Sequence, residues 1–458
     1  MLKNICVNAL EGVLDYSCDI LMQYNGVVID SRIVKRGDAF VGFRGDHVDG
    51  NEYACDALKN GASFVVVDNE AVYRKLDNNN KILVTDSFKA LKSIGAFNIK
   101  KFEGQIIAIT GSAGKTSTKE LLYSILAEKY HVYKNFKNNN NALGVALNCA
   151  NLDFSSEIAV FECGTNSKGE IHELAGYLLP NIAVITNIGY SHIGKFGSPE
   201  AIAKEKLSIT DPSSVYELWV KTSDYNKYSY LINKNVIIKT FSCEPDNNAS
   251  IYINKIEYKN NKLFFNVVYN NCLYQFTLNH FFKHFAYDAL PAIGIALEHE
   301  VPEELIEKGI SKFIPLTGRG HVLSLGNITV VDDTYNASYD SIIASINSLC
   351  QLKGIKIVIL GTMAEIEGYE DTLYNKLYLS LVNNDNIYYI LIGDVYQKFT
   401  ESENIKIAEN KKQAFSFMKS LLNNTNESYT VLVKGARKNA LEEIIELMTN
   451  PGALQSVI

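Results

Sequence analysis

No C-x-x-C pair occurs among the eight cysteines, which stand scattered at Cys6, Cys18, Cys55, Cys149, Cys163, Cys243, Cys272 and Cys350. Paired-cysteine metal and redox sites are therefore excluded, and the residues read as reduced thiols of a cytosolic chain, packed as small hydrophobes. An excess of positive charge is missing too. With 44 Lys and Arg against 51 Asp and Glu, the net charge is −7, and no nucleic-acid surface is expected. The opening stretch MLKNICVNALEGVLDYSCDIL breaks its apolar residues with Asn, Glu and Asp. It reads as neither a signal peptide nor a membrane span. Repeats, low-complexity tracts and long linkers are also absent. What remains is an ordinary globular composition, 47% hydrophobic and 21% charged. Its 458 residues give room for about three domains.

Three α/β blocks follow along the chain, read as domains over 1–82, 83–315 and 316–458. The first carries short strands in VVIDSR, AFVGFRG and SFVVVD around a helix near Asn51–Asn60. KILVTDSFKALKSIGAFNIKKFEG then supplies a strand and a helix leading into the second block. There EIAVFECG and NIAVITNIG are continuous apolar runs, as central strands of a mostly parallel sheet covered on both faces should be. From Tyr216 to Thr277 the pattern alternates between Asn-rich turns, which predicts an antiparallel extension of that sheet. In the last block ITVVDDTYN, KIVILGTM, YYILIGDV and YTVLVKGA alternate with helices, a doubly wound, Rossmann-like pattern.

The most specific signal is IIAITGSAGKTSTKELL, Ile106 to Leu122. A buried strand turns through small residues into a helix headed by Lys115 and Thr116. That arrangement offers backbone N–H groups, a helix N-terminus, a lysine and a hydroxyl to phosphates and Mg²⁺. The loop is compact. The first glycine of G-x-x-x-x-G-K-[ST] would fall on Ile109, leaving T-G-x-x-G-K-T. No N-K-x-D guanine signature accompanies it.

Other candidates stand just after apolar runs, where open α/β sheets bind ligands. Glu162 follows IAVF. Asn187 follows AVIT, and His192 lies five residues later. A strand-end carboxylate is often only a loop anchor and a lone histidine usually structural, but the phosphate loop favours function as Mg²⁺ ligands. Ser167 and Glu170 match a capping box, so Glu170 is read as structural. Ser198 and Pro199 start a helix carrying Lys204 and Lys206, about 200° apart at 100° per residue, so only one can face the cleft.

Taken together these motifs resemble those of the muramyl (Mur) ligases, ATP-dependent amide-forming enzymes of peptidoglycan synthesis. TGSAGKTSTKE resembles the family's phosphate loop, and NNNNALGVAL the Asn/Gly segment after it. FECGTNSKGEI and NIAVITNIGYSHIGKFGSPEAIAKEK resemble the metal and lysine stretches. DSRIVKRGDAFVGFRGDHVDGNEYACDALKNGASFVVV is similar to the N-terminal UDP-binding domain, and GRGHVLSLGNITVVDDTYNASYDS to the join into the C-terminal domain. The D-D-x-Y-N-A element, with no D-N-P-R, points to the branch that adds D-alanyl-D-alanine to a UDP-N-acetylmuramoyl tripeptide.

The resemblance implies a nucleotide site of Gly111, Ser112, Ala113, Gly114, Lys115, Thr116 and Ser117, with Asn140 and Asn141 approaching. Arg319 and Asp333 would close on ATP. Two Mg²⁺ would be held by Thr116, Glu162, His192 and Lys206, with Lys206 carbamylated by CO₂. Lys115, Lys206 and His192 form the catalytic set. Ser31 and Arg32 would bind the UDP end. Tyr335, Asn336, Lys434 and Arg437 would meet the peptide substrate or the incoming amine. The expected protein is a cytoplasmic monomer that activates a carboxylate as an acyl phosphate. The alternatives are another ATP-dependent amide ligase of the superfamily, such as a folylpolyglutamate or cyanophycin-type enzyme, and a non-catalytic nucleotide-binding regulator. The chain departs from the family at Ala146, Phe285, Asp288, Pro291 and Thr362.

Overall fold

The computed structural model describes residues 3–45, 48–77, 79–136, 139–232, 236–260, 262–384, 386–422 and 427–450. Its strands form three main sheets and one small ribbon.

The apolar runs take the positions their composition dictates. Gln105–Thr110 lies between Ile158–Glu162 and Ile182–Ile185, parallel to both. Every residue of the latter two is buried. Val132–Lys134 flanks them at one edge, and Glu217–Lys221 and Ile237–Ser242 continue the sheet in parallel on the other side. The antiparallel extension expected from Tyr216 therefore begins only at Ile251. The reason is local. ELWVK is buried along nearly its whole length, and the helix Thr222–Tyr228 carries the chain back for a parallel return. Beyond Ile251 the strands Ile251–Lys259, Lys262–Tyr269 and Cys272–Leu278 alternate in burial and pair antiparallel. Asn270 and Asn271, both at positive φ, make the second hairpin turn.

The first sheet runs Val13–Ser17, Lys81–Val84, Phe64–Val67, Ala39–Val41, Val27–Val28, beside a ribbon of Lys3–Cys6 and Leu21–Tyr24. The break expected between residues 82 and 83 falls inside Lys81–Val84, which hydrogen-bonds to strands on both sides. The chain leaves this sheet only after that strand. The helix Ser87–Lys101 then buries Ala90, Leu91 and Ile94 in the first core, together with Ala146 and Ala150 of the helix Ala142–Ala150. An apolar seam thus joins the first and second sheets.

The third sheet is ordered His321–Leu325, Ile328–Asp333, Tyr429–Lys434, Ile355–Leu360, Ile387–Ile392, Ile405–Ala408, parallel except for its first strand. Between the second and third sheets lies the helix Lys283–Glu298, which continues through Pro291 and packs on the helix Lys115–Leu126. Its Gly294 admits the single tryptophan: a Cβ there would stand 2.2 Å from the Trp219 ring. All eight cysteines are free, and no described helix is long and apolar enough to cross a membrane.

Candidate active site

Ile109 occupies the sheet's middle, paired with Glu162 and Val184, so the turn cannot begin before Thr110. This explains the compact loop. Gly111 has φ 153°, and a Cβ on it would come within 1.9 Å of Thr186 Oγ1. Gly114 caps the helix in the left-handed region at φ 79°, a conformation that glycine takes without steric cost. The strand-end segment 186–191 clamps the loop between them. Asn187 accepts from the Ala113 N–H through its side chain at 2.7 Å and from the Ser112 N–H through its carbonyl at 3.0 Å. Ser112 Oγ accepts from the Gly189 N–H at 2.9 Å. Asn187 is thus a loop organiser.

Lys115 heads the helix and donates to the Gly111 carbonyl at 2.8 Å. Burial lowers its pKa; Glu162 acts in the opposite direction, and Arg319 adds to the lowering. Thr116 is buried beneath the loop and donates to Glu162 Oε2 at 2.9 Å. Glu162 itself is 1% exposed. It accepts from Asn140 Nδ2 at 2.7 Å, and the fully buried Lys119 Nζ stands 3.7 Å from its Oε2. A carboxylate so deeply buried needs such partners, and no sequence motif marks Lys119 as one.

Of the two lysines on the helix Pro199–Leu207, Lys206 is the buried one, 2% exposed, and Lys204 faces solvent. Burial pushes the Lys206 amine well down, and the nearby Lys115 pushes in the same direction. Glu205, between them in sequence, accepts from the Gly169 and Ile171 N–H groups at 2.6 and 2.8 Å. It therefore caps the helix Glu170–Leu178. The expected capping box is corrected accordingly. Glu170 does bind back to Ser167, but the cap residue is Gly169 at φ 90°, with no side chain to offer.

Across the cleft Asp333 and Lys434 end neighbouring parallel strands in register and pair at 2.6 Å. Burial raises the Asp333 pKa, and Lys434 opposes that rise. Ser345 also donates to Asp333, at 3.0 Å. Arg319 lies over the Tyr335 ring, 3.8 Å from its centre. The third sheet meets the 186–197 segment directly, through Tyr190 N–H to Asp340 Oδ2 at 2.8 Å and Tyr369 Oη to the Gly197 carbonyl at 2.7 Å.

The result is one cleft of about 950 Å³. Ser112, Ala113, Gly114, Lys115, Ser117, Asn140, Asn141, Glu162 and His192 line one side. Arg319, Asp333, Tyr335, Asn336, Lys434 and Arg437 line the other. Thr116 and Lys206 sit behind the wall, and Gly111 lies under it. Ser31 and Arg32 stand apart, in the short 3-10 turn Ser31–Ile33 beside the first sheet, where Arg32 is exposed and paired with Asp30 at 2.7 Å. The substituted helix also contributes. Asp288 presses on the loop: a Cβ on Gly114 would be 2.3 Å from its Oδ1. Burial raises its pKa well above the carboxylate range. His284 Nδ1 is buried with no hydrogen-bond partner, and burial pushes its pKa down to about 3.

Anions fit this wall, as do hard cations carried by them. Among the described residues no three His, Cys, Asp or Glu side chains form a self-sufficient metal cage. Mg²⁺ does not need one, because it takes one or two carboxylates and completes its shell with phosphate and water. Glu162 places one carboxylate beside the Thr116 hydroxyl and the loop.

Known proteins share this architecture. The Mur ligase middle domain matches residues 109–296, and the Mur ligase family, catalytic domain, matches residues 23–96. The UDP-N-acetylmuramoyl-tripeptide--D-alanyl-D-alanine ligase of Rickettsia prowazekii is 31% identical, over 92% of this chain and 94% of its own length. The enzyme of that name from Borreliella burgdorferi is 30% identical, over 92% and 93%. A structure of UDP-N-acetylmuramoylalanyl-D-glutamyl-2,6-diaminopimelate--D-alanyl-D-alanyl ligase from Acinetobacter baumannii superposes with a TM-score of 0.81 at 25% identity, covering 98% of this chain and 99% of that one. MurF ligase from Thermotoga maritima in complex with ADP gives 0.80 at 23% identity, over 92% and 96%, a likeness of fold. With the phosphate loop, the three sheets and near-complete coverage in agreement, the chain belongs to the Mur ligase family.

Proposed function

We propose that this protein is the ATP-dependent ligase that joins D-alanyl-D-alanine to UDP-N-acetylmuramoyl-tripeptide. The observation that carries the reading is the coincidence of two things. Relatives of that name match over more than nine-tenths of both chains, and the phosphate loop faces Arg319, Asp333 and Lys434 across a single cleft.

In this reading the loop from Gly111 to Ser117 cradles the ATP phosphates, with Asn141 beside them. Lys115 turns from the Gly111 carbonyl to the β- and γ-phosphates. Arg319 and Asp333 complete the nucleotide site from the third sheet. Thr116, Glu162 and His192 would hold Mg²⁺, which when bound neutralises charge on the transferring phosphoryl group. Lys206 fits a carbamate. Its desolvated amine favours the neutral form, which attacks CO₂, forms an N–C bond and loses one proton. The negative group so made would stand near Lys115 in place of a second cation and bind the second Mg²⁺. Ser31 and Arg32 take the UDP end, and Tyr335, Asn336, Lys434 and Arg437 the peptide and dipeptide.

The tripeptide carboxylate oxygen attacks the γ-phosphorus as the bond to the bridging oxygen breaks, and ADP leaves. The dipeptide amine then attacks the acyl phosphate carbonyl, expels phosphate and gives up a proton. Most of the rate comes from positioning and fixed charge, with water kept from the acyl phosphate. All these groups come from one chain, so a monomer suffices, and its dependence on ATP and a UDP-linked substrate suits the cytoplasm.

Phosphate release tests this. With ATP and UDP-N-acetylmuramoyl-tripeptide, sustained turnover is expected only when D-alanyl-D-alanine is added. Silence from folded protein, or equal turnover with folate and glutamate, would replace the reading with the superfamily alternative.

A further inference from the structure

His192 and Glu365 reach each other from different sheets. His192 follows the strand Ile182–Ile185, and Glu365 follows Ile355–Leu360. His192 Nδ1 lies 2.5 Å from Glu365 Oε2, and Lys195 Nζ lies 3.0 Å from Oε1. The backbones meet as well. The Gly194 N–H donates to the Glu365 carbonyl at 3.1 Å, and a Cβ on Gly194 would stand 2.5 Å from the Glu367 nitrogen. Both members of the pair occupy the left-handed region, His192 at φ 63° and Glu365 at φ 59°. Residues other than glycine persist there where the surroundings over-determine them.

A histidine that ligates a metal through one ring nitrogen commonly gives its other N–H to a carboxylate, which fixes the tautomer and the ring plane. Glu365 Oε2 lies in contact with Nδ1, which leaves Nε2 as the ligating atom. We infer that Glu365 is a positioning residue for His192, completing the metal site from the third sheet so that metal binding and docking of that sheet are coupled. The inference rests on the reading of His192 as a Mg²⁺ ligand. Coupling of this kind is reciprocal, so bound metal tightens the docking as docking tightens the metal.

Mn²⁺ affinity in the presence of βγ-methylene ATP, read by water-proton relaxation, tests it on the full chain. Glu365→Ala and Glu365→Met both remove the carboxylate, and Met keeps the volume, so one folded variant suffices. Each is expected to weaken Mn²⁺ binding by about tenfold or more, with the Mg²⁺ needed for half-maximal turnover rising alongside and kcat recovered at saturating Mg²⁺. Glu365→Gln keeps an oxygen acceptor and should return most of the loss. Tyr369→Phe removes a different contact between the same two regions and should weaken Mn²⁺ binding far less, through docking alone. Wild-type affinity in the variants lacking the carboxylate, or an equal loss in Tyr369→Phe, would overturn the inference. His192→Ala separates the two layers. If it leaves Mn²⁺ binding intact, the ligand reading falls and the inference with it. If it weakens binding while the Glu365 variants do not, only the positioning role falls.

Discussion

Lys115→Ala is expected to lower kcat for phosphate release by about a thousandfold while the protein stays folded. Lys115 is the cation at the head of the phosphate helix, and burial has stripped it of much of its water. Its amine donates to the Gly111 carbonyl at 2.8 Å, a bond that γ-phosphate oxygens would replace with stronger, charge-assisted ones. A preorganised donor in a desolvated site contributes about 3–4 kcal/mol to the transition state, which sets the size of the loss. Stability should hardly change, because the loop is clamped by Asn187 and Ser112 rather than by this side chain. ADP release measured alongside thermal unfolding checks both halves. A variant within about tenfold of wild type would show that Lys115 does not act on the transferred group.

Lys206→Met is expected to fold normally yet lose about a hundredfold in activity, the upper range for groups that organise a metal site. Met retains the length and volume of a side chain that is 2% exposed. In bicarbonate-free buffer, where Lys206 is the bare amine, Met removes a desolvated group that lies near a second cation, so thermal stability should hold or rise there. A lysine with a purely packing role would give the opposite pattern, with activity kept. Carbon-13 NMR in labelled bicarbonate supplies the chemical readout. The carbamate resonance expected of the wild type should be missing from Lys206→Met, and its absence from both would leave Lys206 as an unmodified amine.

What sequence alone conveyed follows a physical division. Short-range patterns were legible. Continuous apolar runs became buried parallel strands, Ser198 and Pro199 began a helix, and helical geometry required that Lys204 and Lys206 face apart. Ser198 does accept from the Ala201 N–H, at 3.1 Å. Local alternation misled where tertiary cover decided the outcome, as with ELWVK, which a helix buries in parallel pairing. The strand Lys81–Val84 likewise belongs to the sheet before it, because its partners are 16 or more residues away in the chain. The site's supports were the least legible. Glu205 caps a helix more than thirty residues earlier, and Glu365 meets a histidine from another sheet. Lys119 lies beneath Glu162 with nothing but a buried helical position to mark it. No periodicity encodes such pairings, because they exist only once the sheets have met.

A cleft that activates a peptide carboxylate by phosphorylating it must pass one carboxylate oxygen to phosphate, and oxygen-18 follows that transfer. With UDP-N-acetylmuramoyl-tripeptide carrying oxygen-18 in its terminal carboxylate, ATP and D-alanyl-D-alanine, the released phosphate should contain one labelled oxygen per peptide bond formed, since the acyl phosphate breaks at the carbonyl carbon. Phosphate released without label during peptide bond formation would contradict the account.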